Sequence, residues 1–496
     1  MAGARALRAA GTHNDGMATF FNKLGLALAL GALATATVPH RIAGAEAGAW
    51  LDGDPALEER LARGLRQTTQ DDLVKHPFRT GSKHFDSEWL FGTYMMAGMG
   101  FGQLALSRSS TPARTVELTA DLDRCIAGML KDESRFYDRS AWGADPLQTL
   151  ASDQGHIAFL GYLNLTLGLR RLLDPNNPYA ELNDHVSAAL ERRLLATSGF
   201  VETFPGQTFP IDNASAVGSL GLHQRATGKS HARVIQAFAT RVNRLARQRS
   251  DGLLIQITTT AGAPLGPGRG SGTFLASYFL SFADPVLARS LYESGKSALY
   301  TEHLGFGAMR EHAAGHEGNN DIDSGPVLFG LGVSSSGFAL GPARAFGDAD
   351  AFRGLYALTH LFGVPVDSGG TRTYATGGPI GDGILLAMLT APAPASARLR
   401  PRLRRSSPRA ARGSSREGDS KAGARRDVGP HHPLRRDGAR GGGRKGRQRP
   451  ARRRRRGQPR APRLRGRARR APVPGRDGAA RGRGRAARSA ALGLAS

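Results

Sequence analysis

Cysteine is almost missing: Cys125 is the only one in 496 residues. That excludes a disulfide framework and any multi-cysteine zinc or iron–sulfur site. Strand signals are scarce as well, and Leu253–Thr259 is the one convincing β-rich run. No Gly-x-Ser-x-Gly elbow occurs, and the glycine-rich stretch 266–272 follows no strand of a βαβ unit. A nucleophile elbow and a dinucleotide loop are therefore not expected. From Ser396 to Ser496 there is no Phe, Tyr, Trp, Ile, Met or Cys at all. Such a segment cannot bury enough apolar surface to offset chain entropy.

Charge divides the chain in the same place. The whole carries +27, but Ser396–Ser496 holds 34 Lys+Arg against 5 Asp+Glu, while residues 1–395 hold 34 against 36. The body is near neutral, and the last hundred residues read as a disordered basic tail, with Arg452–Arg456 an unbroken run. Without aromatic stacking platforms a nucleic-acid partner is not expected, except through this tail. Arg, Ala, Gly and Pro dominate from an abrupt boundary. That is how an out-of-frame reading of a GC-rich gene would look.

The other end carries an address. Lys23 precedes the apolar run Leu24–Val38, and Ala43-Gly44-Ala45 follows. A basic residue, an apolar core and a small-x-small site make a secretory signal over residues 1–45, with export to the periplasm or medium. The run is short for a transmembrane helix of about 20 residues, so an uncleaved N-terminal membrane anchor ranks second.

Residues 46–395 read as helices separated by polar, Gly- and Pro-containing loops. The pattern predicts Leu51–Arg66, Ser87–Leu106, Pro112–Lys131, Ser152–Leu173, Tyr179–Leu195, Asp212–Thr227, Ser230–Gln248, Ser271–Phe282, Pro285–Leu299, Asp323–Phe346, Asp348–Phe362 and Ile380–Thr390. They fall into six pairs. The first member of each is amphipathic and charged, with one face in water; the second is apolar nearly all round and rich in small residues, hence buried. Six inner helices enclosed by six outer ones make an all-α (α/α)6 toroid. An open solenoid would show recognisably similar repeats, and these pairs are not similar in sequence.

All inner helices of such a ring start at one face, so the residues at their entries should meet there. The entries offer Glu88, Trp89 and Tyr94; Asp153 and His156; Phe204 and Asp212; Arg269; and Asp321 with Asp323. Asp321, Asp212, His156, Tyr94 and Glu88 are the candidate catalytic groups, since neighbouring carboxylates can separate into an acid and a base. Trp89, Asp153, Phe204, Arg269 and Asp323 are the candidate substrate-binding groups. Asp153, Asp212 and Asp323 also sit where helix N-caps belong, and His156 could equally be a satisfied core histidine. Asn319-x-Asp321-x-Asp323 does not complete a calcium loop, because its glycine falls one place late and no closing Glu follows. His312 and His316 have metal-ligand spacing in a segment that reads as a loop. No metal and no cofactor are called for.

Six hairpins with Gly155-His156-Ile157-Ala158-Phe159-Leu160-Gly161-Tyr162-Leu163-Asn164-Leu165 and the Phe209-Pro210-Ile211-Asp212-Asn213 entry resemble the linalool dehydratase/isomerase-like family of (α/α)6 barrels. The resemblance covers about Asp52–Ala391. It implies an exported lyase or isomerase that adds or removes water by cofactor-free acid–base chemistry on a terpenoid alcohol. The acid, Tyr and His of that family would be Glu88, Tyr94 and His156. Its pocket cysteines have no counterpart here. A carbohydrate-active toroid (inverting glycosidase, lyase or epimerase) is the alternative, with two carboxylates across a glycosidic bond. A non-catalytic binding toroid is the third reading. The expected partner is a small molecule, terpenoid or sugar, and a homo-oligomer stays open.

Overall fold

The computed structural model describes residues 23–392, apart from 32, 36, 72, 76–77 and 317–324. The basic tail, the first 22 residues, Asp321 and Asp323 lie outside the described residues.

The helices are α1 (Pro55–Gln70), α2 (Lys83–Leu106), α3 (Pro112–Met129), α4 (Asp132–Trp142), α5 (Ile157–Leu173), α6 (Ala180–Ala196), α7 (Pro210–Thr227), α8 (Ala232–Arg241), α9 (Gly270–Leu280), α10 (Pro285–Leu299), α11 (Val333–Phe346), α12 (Ala349–Gly363) and α13 (Gly378–Leu389). Helices α2, α5, α7, α9, α11 and α13 each pack against the next, and α13 packs back against α2. The ring is closed. Outside it lie α1, α3, α6, α8, α10 and α12, each antiparallel to the inner helix that follows it in the chain. The protein is an (α/α)6 toroid.

The division of labour seen in the sequence is the division in space. Inner helices are buried along nearly their whole length, as in Met95–Ala105 of α2 and Asp212–His223 of α7. Their small residues let backbones approach. A Cβ on Gly161 would stand 2.5 Å from Ser215 Oγ, and one on Gly218 would stand 2.4 Å from the Phe279 carbonyl oxygen. Each glycine costs about 1 kcal/mol of helix propensity against Ala, and close α5–α7 and α7–α9 packing offsets it. Outer helices announce their starts. Asp54, Thr111, Asp284 and Asp348 cap α1, α3, α10 and α12 with their side chains, and the first three are followed by Pro.

Three features depart from the sequence reading. An extra short helix, α4, stands between α3 and α5. Residues Leu253–Thr259 form isolated bridges rather than a strand, because they run along the inner-helix entries without a continuous partner. Strands occur instead as three antiparallel β-hairpins in the connections: β1–β2 (Tyr300–His303, Phe306–Met309), β3–β4 (Val327–Leu328, Leu331–Gly332) and β5–β6 (Pro365–Ser368, Thr371–Tyr374). The last two precede α11 and α13, so α11 begins at Val333, ten residues after the predicted start at Asp323.

Candidate active site at the inner-helix entries

The ring is plugged at one end. Tyr278 of α9 donates its hydroxyl to Gln103 Oε1 of α2, on the opposite side of the ring, at 2.9 Å. Gln103 in turn donates to the Ala387 carbonyl (2.9 Å) and to Thr390 Oγ1 (3.1 Å) beyond α13. All these groups lie towards the C-terminal ends of inner helices. Any site in the ring must therefore open at the end where the inner helices begin. None of the six inner helices has a side-chain N-cap there; the first N–H of α5, α9 and α11 donates instead to the Glu202, Glu311 and Pro326 carbonyls, and the positive dipole ends gather at that end of the ring.

Asp212 is in the first turn of α7 and buried. It does not cap the helix. Its carboxylate accepts from Tyr162 of α5 and from Thr203 Oγ1, both at 2.7 Å. Among the described residues no cation partners it. Burial pushes its carboxyl up to about 6, and the two hydroxyl hydrogen bonds offset only part of that. Tyr162 packs against Phe279 of α9 at 5.5 Å between ring centroids, which sets this pair at the lumen side of the wall.

Beside Asp212 runs an aromatic rim. Phe204 meets His84 at 5.6 Å and Tyr137 of α4 at 6.3 Å. Glu88, one helical turn beyond His84 on α2, is partly exposed, and the two side chains stand 3.8 Å apart. Burial holds His84 below the usual imidazole range. Tyr137 is buried, and its hydroxyl is pushed well up, first by burial and then by the charges of Asp138, Glu88 and Asp212. One phenol thus senses both Glu88 and Asp212, which brings the carboxylates from α2 and α7 into one neighbourhood.

His156 supports this wall from behind. It is fully buried and left-handed at φ 47°, a conformation rare outside Gly. Its Nδ1 lies 2.6 Å from Asp138 Oδ2, and its ring stacks on Trp142 at 4.7 Å. The Trp142 indole donates to the Thr203 carbonyl at 3.0 Å. Arg193 of α6 clasps the approach by donating to the Gly155 and Thr149 carbonyls. The chain Asp138–His156–Trp142–Thr203 ends at Asp212.

The remaining sequence candidates are dispersed. Tyr94 is buried facing α3, where a Cβ on Gly128 would land 2.6 Å from its ring. Asp153 stands in solvent with its side chain 84% exposed, 3.6 Å from Arg192 of the outer helix α6. Helix α5 starts only at Ile157, so Asp153 is no cap and does not reach the lumen. Trp89 is half-buried and meets Phe78 edge-on at 5.9 Å. Arg269, a candidate substrate-binding group, meets an anion that is the chain's own. Its Nε donates to Glu311 Oε1 at 3.0 Å, and Ser271 and Ser335 also donate to Glu311. That cluster ties the entries of α9 and α11 together.

Sequence reasoning missed Tyr137, Asp138, Tyr162, Thr203 and Glu311. Tyr162 could have been found: it lies one and a half turns into α5, on a helix already read as lumen-lining. Asp138 and Tyr137 could not, because the helix that carries them was not recognised. Among the described residues no cluster of three or more His, Cys, Asp or Glu could hold a metal ion. Two surface cavities occur, one of about 560 Å³ beside Tyr292 and Lys296 of the outer helix α10, and one of about 360 Å³ between the first turns of α2, at Asp86 and Leu90, and Phe136 of α4.

No family model and no curated protein matches the chain. Solved structures similar to it include a GH76 alpha-mannanase of Bacteroides thetaiotaomicron, at 14% identity and a TM-score of 0.41 over 68% of this chain and 97% of that one. A glycoside hydrolase of family 105 from C. acetobutylicum is similar at 10% identity and a TM-score of 0.39, over 66% of this chain and 99% of that one. Neither likeness bears on the chemistry of this chain.

Proposed function

We propose that the toroid is an acid–base enzyme acting on a carbohydrate, with Asp212 as proton donor and Glu88 as its ionised partner. The supporting observation is Asp212 itself, a buried carboxyl held by two hydroxyls and no cation, with its pKa raised to about 6. A carboxyl in that state keeps a proton to give near neutral pH, while a more solvated neighbour stays charged. In glycosidic cleavage Asp212 would protonate the departing oxygen and Glu88 would take a proton from water. Phe204 and His84 offer aromatic faces for a sugar ring, and His156 acts as a positioning residue through Trp142 and Thr203. The thiols of linalool-type chemistry have no counterpart beside Asp212. Cys125 is buried on the outer helix α3, and burial pushes its thiol above the ordinary range. The apolar N-terminal helix supports delivery to the membrane or beyond.

The test is a screen of oligosaccharides and terpene alcohols, with product configuration read by NMR. Release of a reducing sugar, abolished in Asp212→Asn, supports the reading. Turnover of a terpene alcohol with no action on any oligosaccharide would overturn it.

A further inference from the structure

We propose that the toroid face around the root of the N-terminal helix is a membrane-binding surface, and that this helix stays attached as its anchor. The occupant of the surface is a lipid bilayer.

The helical segment Lys23–Asp52 is long and apolar enough to cross a membrane. Between Lys23 and Arg41 there is no charged residue. Those 17 residues rise about 26 Å, close to the ~30 Å of a hydrocarbon core. The described residues from Lys23 to Val38 are exposed apart from half-buried Thr37, so among them the helix stands almost clear of the domain. A helix apolar all round is unfavourable in water. Its hydroxyls are already turned inward: Thr35 donates to the Gly31 carbonyl at 2.8 Å, and Thr37 to Leu33 at 2.7 Å. That satisfies them without solvent, as a lipid environment requires.

The root of the helix, by contrast, is built into the toroid. His40 meets Phe306 at 6.2 Å, and a Cβ on Gly305 would collide with the His40 ring. Ala43 and Ala47 are buried, and Glu46 pairs with Arg372 and accepts from Tyr356. Trp50 is fully buried and donates to Tyr356 at 3.1 Å. The small-residue site Ala43-Gly44-Ala45 is thus part of a packed joint.

Around that joint the domain exposes large apolar side chains. Leu304, 62% exposed, tips the β1–β2 turn beside His40. Leu361 lies one turn beyond Ala357, whose Cβ is 3.6 Å from where a Gly44 Cβ would be. Phe362 (58%), Val364 and Val366 continue the exposed set into β5. Solvent-exposed apolar residues gathered at one place mark an interaction surface. A free-standing apolar helix leaving from the middle of this set assigns the surface to lipid. The C-terminal end of α12 connects through β5–β6 to the start of α13, so this is the end of the toroid where Glu88 and Asp212 lie. The opening of the ring faces the bilayer side.

The test uses the full chain with vesicles of phosphatidylcholine, which is zwitterionic and gives the Arg-rich tail no charge to bind. Cys125 is fully buried, so single labels can be placed at Leu304→Cys, Phe362→Cys and, on the opposite face, Ser109→Cys. Nitroxide-bearing lipid should quench a fluorophore at the first two sites several-fold more than at Ser109. N-terminal sequencing of membrane-bound protein should find residues before Ala45. Release of a soluble chain beginning at Glu46 would overturn the proposal, as would equal quenching at all three sites. Dimerisation without lipid that protects Phe362 would assign the surface to self-association and also overturn it. None of these readouts depends on turnover, so the catalytic reading stands or falls separately.

Discussion

Two carboxylates guard different stretches of the same ring, and they are held in opposite ways. Glu311, fully buried between α9 and α11, has a guanidinium and two serine hydroxyls. Asp212, buried between α5 and α7, has two hydroxyls and no cation. A buried charge with a hydrogen-bonded counter-charge is compensated and serves as a joint. A buried carboxyl without one keeps its proton to higher pH. The first arrangement locks two helices; the second stores a proton. The difference separates structure from chemistry better than position does, since both groups stand at inner-helix entries.

The comparison can be broken from either side. Asp212→Asn keeps size and hydrogen-bonding capacity but loses the proton. Turnover should fall by about 10²–10⁴, the usual range for one general acid or base, with the thermal transition nearly unchanged. Steady-state kinetics on the substrate found by screening, beside a melting curve, checks both halves. Glu311→Ala should do the reverse. It removes one partner of the buried Arg269–Glu311 ion pair, which typically costs about 3–5 kcal/mol, and a urea unfolding curve should show it. If Glu311→Ala left stability intact while Asp212→Asn unfolded the chain, the two roles would have been exchanged.

Acidity sharpens the same contrast. The Asp212 carboxyl has a folded-state pKa of about 6 against an ordinary value of 3.8. The folded chain therefore holds this proton more tightly than the unfolded chain. Its contribution is fully present below pH 4 and is lost as pH rises through 6. At about 1.4 kcal/mol per pKa unit, the loss is up to about 3 kcal/mol. Asp382, raised to about 7 by burial, adds a slope of the same sign. The difference between wild type and Asp212→Asn isolates Asp212. Identical pH dependence in the two, from pH 4 to 7, would show that Asp212 is ionised throughout.

The toroid was legible in the sequence because its signal is repeated. Six alternations of charged and apolar helices admit few architectures, and Pro285–Leu299 falls where the pattern placed it. The site was legible only in part. Being at a helix entry is a property of the chain, and it selected Asp212 and Glu88. Being turned into the lumen is a property of helix phase and of neighbours. Tyr94, six residues beyond Glu88, is rotated away towards α3. Asp138 sits on a short helix whose charged pattern, Asp132-Glu133-Ser134-Arg135, resembles a loop. Arg269 counts among the candidate substrate-binding groups because its partner, Glu311, lies 42 residues away with nothing local to announce it.

Packing at Tyr94 gives the next smaller effect. Gly128 of α3 has no Cβ, and one added there would lie 2.6–2.7 Å from three atoms of the Tyr94 ring. The ring is fully enclosed, so it cannot swing clear. Gly128→Ala should therefore cost about 1–3 kcal/mol, the usual range for overpacking a core, despite the better helix propensity of Ala. A gain in melting temperature would mean that the ring is free to move towards the lumen.

Asp153 provides the floor of the scale. It is an acidic residue three positions before His156 and was a natural candidate for the pocket. Its side chain nevertheless stands in solvent, 3.6 Å from Arg192 on an outer helix. Exposed pairs of this kind are typically worth 0–1 kcal/mol and are screened by salt. Asp153→Asn should thus move the unfolding midpoint by less than about 0.5 kcal/mol and leave turnover unchanged, because its charge lies outside the low-dielectric wall around Asp212. Arg192 also donates to the Leu150 and Ser152 carbonyls, so the loop stays stapled when the carboxylate is gone. A tenfold loss of turnover in Asp153→Asn would mean that the loop folds inwards over the bound substrate. The division between an inner wall that does chemistry and an outer surface that holds it would then fail at this entry.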